Sequence, residues 1–289
     1  MTNVLKNLPP LYIHPILWFF IIIALLTGTF TEIFIIFTLV FIHELGHYVA
    51  ARSYQWRIRR VSLWVFGGVM ETDEHGSRPI KQELIVTLAG PLQHIWIFFL
   101  LQLCSAYSLL PSSLLTVATQ YNATIFLFNL LPIWPLDGGK LLMLFYASFL
   151  PFRRAHAATV LTSTCLLVIS VAAMFLYYPF TLSTLLLVSF ILWENRLEWK
   201  RRYYIFMRFL LKRHVLDNHA KKVRPIVVRP DHSLMYVFGR FRRNCYHQIL
   251  IKDEGSPSGM PIGEKECLHT YFRLKQSQMT VGELTAFRH

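Results

Sequence analysis

His43, Glu44 and His47 stand in the run FIHELGHYVAA, residues 41–51. On an α-helix, positions i and i+4 share a face, so the imidazoles at 43 and 47 can turn toward one metal ion. Glu44, next to the first of them, can orient a metal-bound water and take its proton. HExxH on a helix is the pattern of a zinc-dependent hydrolytic site. The ten residues before it are nearly all apolar. Polar groups at the end of such a run are costly to bury and usually have work to do there.

A third donor is offered by FLFNLLPIWPLDGGK, residues 126–140. Asp137 is a carboxylate in an apolar stretch, so it must neutralise, pair with a cation or bind metal. With two histidines in place it completes a set of two imidazoles and one carboxylate with an open water position. The alternative is a capping carboxylate for the helix beginning near Lys140. Asn129 carries both a donor and an acceptor, which suits either substrate backbone or bracing of the loop. His94, in AGPLQHIW at 89–96, also lies within an apolar run and needs a partner. It reads as a third ligand, a donor behind a ligand or a satisfied packing histidine.

The elements that would position these groups are membrane spans. Hydrophobic residues make up 54% of the 289, phenylalanine occurs 23 times, and mean hydropathy is +0.41. Several runs approach the roughly 20 residues that cross a bilayer. The pattern predicts an α-helical polytopic membrane protein with six transmembrane helices. The expected spans are 11–26, 32–51, 84–110, one from 121 into the 126–140 run, 158–177 and 180–193. Residues 140–154 are expected to be interfacial or re-entrant.

The net charge of +13, from 29 Lys+Arg against 16 Asp+Glu, is a topology signal rather than a nucleic-acid footprint. With six spans, all the basic residues fall on the side of the termini and of the loops 52–81 and 140–154. That predicts N and C termini in the cytosol. The first span follows Lys6 without a clear cleavage site and reads as retained, not as a signal peptide. His14, before Pro15, reads as an interface residue or a lesser contributor to the site.

Within loop 52–81, RVSLWVFGGVM is β-branched and aromatic with Gly67 and Gly68 at a bend, which predicts one or two short strands. Such a strand beside the site either pairs with extended substrate or belongs to an ordinary surface hairpin. Gly90-Pro91 in the third span permits close helix contact. The organisation expected is a membrane domain at 1–194, a basic amphipathic linker at 195–222 on an anionic surface, and a small α/β cytosolic domain at 223–289. The last shows β, α, β patterning, then a turn-rich stretch and another helix. Four cysteines without a CxxC pair suggest neither a disulfide framework nor a thiolate metal site.

HELGH at 43–47, with Asn129, Pro132 and PLDGG at 135–139, resembles the site-2 protease family of intramembrane zinc metalloproteases. IHPILW, FGG at 66–68, EHG at 74–76 and AGPLQHIW extend the likeness along the chain, toward the family's sporulation members. The resemblance implies one catalytic Zn2+ held by His43, His47 and Asp137, with Glu44 as the catalytic carboxylate. It implies substrate contacts from Asn129, Pro135 and the bend Phe66, Gly67 and Gly68, with His94 behind the ligands.

It further implies that the substrate is a membrane-associated pro-sigma factor, cut in the mother-cell membrane around the forespore, with inhibitory membrane partners. The C-terminal end resembles a single CBS module, which implies ATP sensing and pairing with a second copy. No glycine-rich phosphate loop supports ATP directly. A non-proteolytic zinc-binding membrane regulator would use the same ligands, but it has no need of the general base that Glu44 supplies.

Overall fold

The computed structural model describes residues 11–13, 18, 21, 22, 25–64, 67–72, 74, 76–177, 181–215, 222–252 and 261–286. The elements in order are β1 Leu11–Ile13, α1 Phe30–Ser53, β2 Ile58–Trp64, β3 Gly67–Thr72, α2 Ile80–Ala106, α3 Ser112–Leu130, α4 Asp137–Phe149, α5 Phe152–Tyr177 and α6 Leu182–Val215. After them come β4 Val223–Val228, α7 Leu234–Phe238, β5 Tyr246–Ile251, β6 Ile262–Gly263, α8 Glu264–Phe272 and α9 Val281–Ala286. The chain divides into two compact units, residues 1–141 with 174–189, and residues 142–173 with 190–289.

In the first unit, α1 and α2 are built inside out. Their buried positions carry His43, Glu44, His47, Glu83, Thr87 and His94, while Phe34, Phe41, Val49, Trp96 and Phe99 are exposed. In water that arrangement would be unstable; in a bilayer the apolar face meets lipid and the polar face meets protein. Small residues bring the two helices together. A Cβ on Gly46 would lie 2.5 Å from the Ala89 carbonyl oxygen, and one on Gly90 would strike the rings of His47 and His43. α3 packs against both helices.

Three helices are long and apolar enough to cross a membrane: Phe30–Ser53, Ile80–Ala106 and Phe152–Met174, among the described residues. The expectation of six spans therefore meets three helices that satisfy both criteria. Residues 11–13 form a strand where a span was expected to start, and most of 14–24, His14 included, lies outside the described residues. α3 starts at Ser112, whereas the fourth expected span starts only at residue 121. Pro111, with φ −56° and ψ 139°, sits just before its first turn, a favoured place for the residue.

The strand expectation for the 60–70 region holds. β2 and β3 form an antiparallel hairpin, with β1 parallel to β2 on the far side. β3 packs on α1. The turn into α2 is fixed by Gly76, whose φ of +82° suits a glycine and whose N–H donates to Glu83 Oε1 at 2.8 Å. Arg78 Nε donates to Glu74 Oε2 at 2.9 Å in the same turn.

The second unit holds the α/β part. β4 and β5 are parallel, joined through α7, and β6 is antiparallel to β5. Ser233 caps α7 by accepting from the Tyr236 N–H. The core runs from Ile226, Val228, Val237, Phe238 and Ile249 to Phe206, Phe209 and Leu210 of α6. The stretch expected as a linker continues α6 through residue 215, with Phe206, Phe209 and Leu210 in a protein core and Tyr203, Tyr204 and Leu211 exposed. Between α5 and α6, the Ser163 hydroxyl donates to Asn195 Oδ1 at 2.7 Å, and His156 Nε2 meets Glu198 Oε1 at 2.9 Å.

Candidate metal centre

The i, i+4 spacing on α1 does what the sequence predicts. His43 Nε2 and His47 Nε2 lie 3.1 Å apart. Asp137, the first residue of α4, places Oδ2 3.1 Å from His43 Nε2 and 3.0 Å from His47 Nε2. All three residues are buried. Asp137 both opens α4 and faces the two imidazoles. Gly138 and Gly139 deliver it there: a Cβ on either would strike carbonyl groups of the turn, Leu130 and Leu131 for the first and Ile133 for the second.

The rest of each donor is tied down. His47 Nδ1 lies 2.8 Å from the Val86 carbonyl oxygen. A carbonyl only accepts, so Nδ1 carries the proton and the neutral ring offers its Nε2 lone pair inward. Lys140 Nζ donates to Asp137 Oδ1 at 2.9 Å and leaves Oδ2 to the centre. One proton can bridge one edge of the triangle, whereas a divalent cation satisfies all three corners. Ligand–ligand edges of about 3.3 Å follow from Zn–N and Zn–O bonds of about 2.0–2.1 Å in a tetrahedron. The observed edges are close to that, so the donor set fits zinc and leaves one position open.

Glu44 is buried beside this triangle. With His43 and His47 it forms a cluster whose ligand atoms lie within 4.8 Å of one another. A cavity of about 10 Å³ is lined by Glu44, His47, Met70, Val86, Thr87 and Lys140, room for about one water. On its open side the carboxylate meets β3: a Cβ on Gly68 would strike Glu44 Cγ and Cδ. The hairpin and the Glu44 carboxylate therefore approach as closely as glycine allows.

His94 is not in the triangle. Its Nε2 lies 3.1 Å from His43 Nδ1, and its Nδ1 lies 2.8 Å from Asn122 Oδ1. This places His94 against the ring nitrogen of His43 that does not face Asp137. Asn122 and Lys140 are site residues that the sequence reasoning does not single out. The available signal for Asn122 was an amide inside an apolar helix, which needs a partner; for Lys140 it was the i+3 spacing from Asp137. Asn129 donates from Nδ2 to the Ile125 carbonyl at 3.0 Å, a brace within α3. Pro135 is half-buried in the turn before Asp137. Gly67 opens β3, and Phe66 lies outside the described residues.

Comparison with known proteins gives the family. The chain matches the family described as Peptidase family M50 over residues 31–110 and 105–170. It is 38% identical over 285 residues to stage IV sporulation protein FB of Bacillus subtilis, covering 98% of this chain and 99% of that protein. A zinc metalloprotease of Methanocaldococcus jannaschii is 33% identical over 111 residues, 37% of this chain and 32% of its own. Among solved structures, the site-2 protease from Methanocaldococcus jannaschii superimposes with a TM-score of 0.54 at 25% identity, covering 65% of this chain and 90% of that one.

Proposed function

The chain belongs to Peptidase family M50 and is a zinc metalloprotease of the site-2 protease type; from that premise we propose that it cuts the pro-sequence of a membrane-associated pro-sigma factor during sporulation. The sporulation setting is supported by the near end-to-end likeness to the Bacillus subtilis sporulation protein. The observation that carries the chemistry is the triangle of His43, His47 and Asp137 with Glu44 at its side. Zinc held there would polarise the scissile carbonyl and acidify water. Glu44 takes a proton from water in the adjoining cavity and returns it to the leaving amine. Val86 and Lys140 hold the ligands so that no reorganisation is needed during the reaction.

We assign substrate binding to β3, Asn129, Pro135 and the 66–68 bend. β3 pairs only with β2 among the described residues, and Gly68 lies against Glu44. An extended substrate pairing along β3 would expose peptide groups that a helix keeps in its own hydrogen bonds. The wider reading keeps six spans, both termini in the cytosol, and residence in the mother-cell membrane around the forespore with inhibitory membrane partners. The C-terminal α/β module is read as CBS-like, a sensor of ATP that pairs with a second copy. Support for an anionic ligand comes from a cleft of about 390 Å³ lined by Arg154, Arg224, Arg240 and Arg242 with His247.

The test is cleavage of a tethered pro-sigma substrate by purified, zinc-loaded protein, beside a Glu44→Gln variant of equal zinc content. Cleavage by the parent alone is expected. Equal cleavage by both would sink the role of Glu44. Cleavage by neither, with substrate bound, would count against proteolysis of that substrate.

A further inference from the structure

The inside of the membrane unit holds a second layer that reaches the metal centre from α3. His43 of α1, His94 of α2 and Asn122 of α3 are all buried, with 3%, 1% and 3% of their surface exposed. They are joined in line by contacts of 3.1 Å and 2.8 Å. A third contact fixes the direction of the line. Asn122 Nδ2 donates to the His94 backbone carbonyl at 2.9 Å.

We infer that Asn122 and His94 are positioning residues that set the tautomer of the metal ligand His43. The inference rests on the zinc reading of His43, His47 and Asp137. The logic is one of donors and acceptors. A backbone carbonyl only accepts, so the amide nitrogen of Asn122 faces it and the amide oxygen faces the His94 ring. That oxygen also only accepts, so His94 Nδ1 carries the ring proton. In the neutral ring the lone pair is then on Nε2, and the group it faces, His43 Nδ1, is the donor. His43 is left with its lone pair on Nε2, aimed at His47 and Asp137. His47 reaches the same state directly from the Val86 carbonyl. The two imidazoles are thus set for metal by different devices, one by backbone and one by a relay through two side chains.

Metal-ligating histidines depend on the partner of their other ring nitrogen, and loss of that partner typically costs 10–100-fold in metal affinity or activity. Without Asn122 the His94 ring is free to carry its proton on Nε2. Two N–H groups would then oppose each other unless His43 moved its own proton to the side that faces the metal.

The experiment measures zinc affinity of the full chain in detergent micelles by competition with a chelator, with thermal unfolding of the zinc-loaded protein as a check on folding. Zinc affinity of His94→Phe and Asn122→Leu is expected to fall about 10–100-fold. His94→Gln can present an amide oxygen to His43 Nδ1, and Asn122→Asp keeps an acceptor for His94 Nδ1. Each is expected to recover most of the loss seen in its apolar counterpart. The cobalt-loaded protein gives a signature, since a displaced His43 shifts the visible spectrum of the apolar variants and not of the polar pair. Parental affinity in His94→Phe and Asn122→Leu would overturn the inference. So would equal loss in the polar and apolar variants; if the apolar variants unfold, the polar pair alone decides, since a loss of zinc affinity in a folded polar variant as large as about 10–100-fold would overturn the inference. Zinc binding is read without proteolysis, so failure of the proposed substrate leaves this result intact.

Discussion

Two buried clusters use nearly the same residue types and end in opposite states. In the membrane unit, His43, His47 and Asp137 converge with lone pairs inward. In the C-terminal unit, Glu264 meets His247 Nδ1 at 3.0 Å and Arg213 Nη2 at 2.8 Å, with a second contact from Arg213 Nε to its other oxygen. There Arg213 also donates to the carbonyl oxygens of Arg242 and Cys245, and His247 Nε2 accepts from the Arg242 N–H. The guanidinium fills the place that a metal would take. A buried carboxylate with histidine therefore stays open to a cation where the chain's own base takes one oxygen, as Lys140 does at Asp137, and leaves the other free. Where the chain supplies an arginine, the group is closed and structural.

The sharpest way to break the comparison is to disarm one carboxylate in each cluster. Glu44→Gln is expected to slow cleavage by about 10²–10⁴-fold, the usual worth of a general base, with unfolding unchanged. Glu264→Gln is expected to act the other way round, on stability and not on the chemical step. Cleavage and unfolding assays on both variants decide it, and a catalytic loss in Glu264→Gln equal to that in Glu44→Gln would erase the distinction.

Chelation is the next largest effect. Removing zinc should abolish cleavage, with recovery on adding zinc back, while hydrogen exchange in β4 and β5 stays as before. A third test is Arg213→Met, which leaves Glu264 with His247 alone and should destabilise the C-terminal unit by about 3–5 kcal/mol. The double variant Arg213→Met with Glu264→Leu should lose less than the single one, because no uncompensated charge remains. A double variant worse than the single would show that the pair contributes more than the burial of its charges costs.

The smallest effect is on pH. Burial, with repulsion from Arg213 and Arg224, holds His247 below its usual 6.5 despite the pull of Glu264. Burial raises Glu264, but hydrogen bonds from His247 and Arg213 outweigh it and hold the group below 4.5. Both folded values are depressed, so in acid the unfolded state binds more protons and stability falls with pH. The loss should begin below 6.5 through His247 and continue below 4.5 through Glu264. Unfolding midpoints of the C-terminal unit measured from pH 7.5 to 4 would test the sign; a rise on acidification would contradict it.

Legibility in the sequence followed the distance over which each feature is decided. HExxH is a local spacing on one helix, and Asp137 is conspicuous as a carboxylate among apolar residues, so both could be read directly. The hairpin at 58–72 was legible because β-branched residues and a Gly pair act locally. Arg213 was not. In a run with Lys212 and other basic residues it reads as part of the basic linker facing an anionic surface, yet its partner lies 51 residues further on and it is only 8% exposed. The role of His94 depended on an amide in a separate helix, 28 positions away. The start of α3, SSLLTVATQ, reads as loop because it carries no basic residue between two apolar runs, a signal of membrane side and not of backbone conformation.

The contacts of Gly68 with Glu44, and of Gly90 with His47 and His43, carry a genetic consequence. In a library of every single substitution, positions 68 and 90 should be as intolerant as 43, 44 and 47. A screen would then score as indispensable two residues that touch no proton and hold no ligand. Second-site revertants would separate the groups: alanine at 68 can be relieved by a shift of the hairpin or of the Glu44 side chain, whereas no neighbouring change restores an absent imidazole.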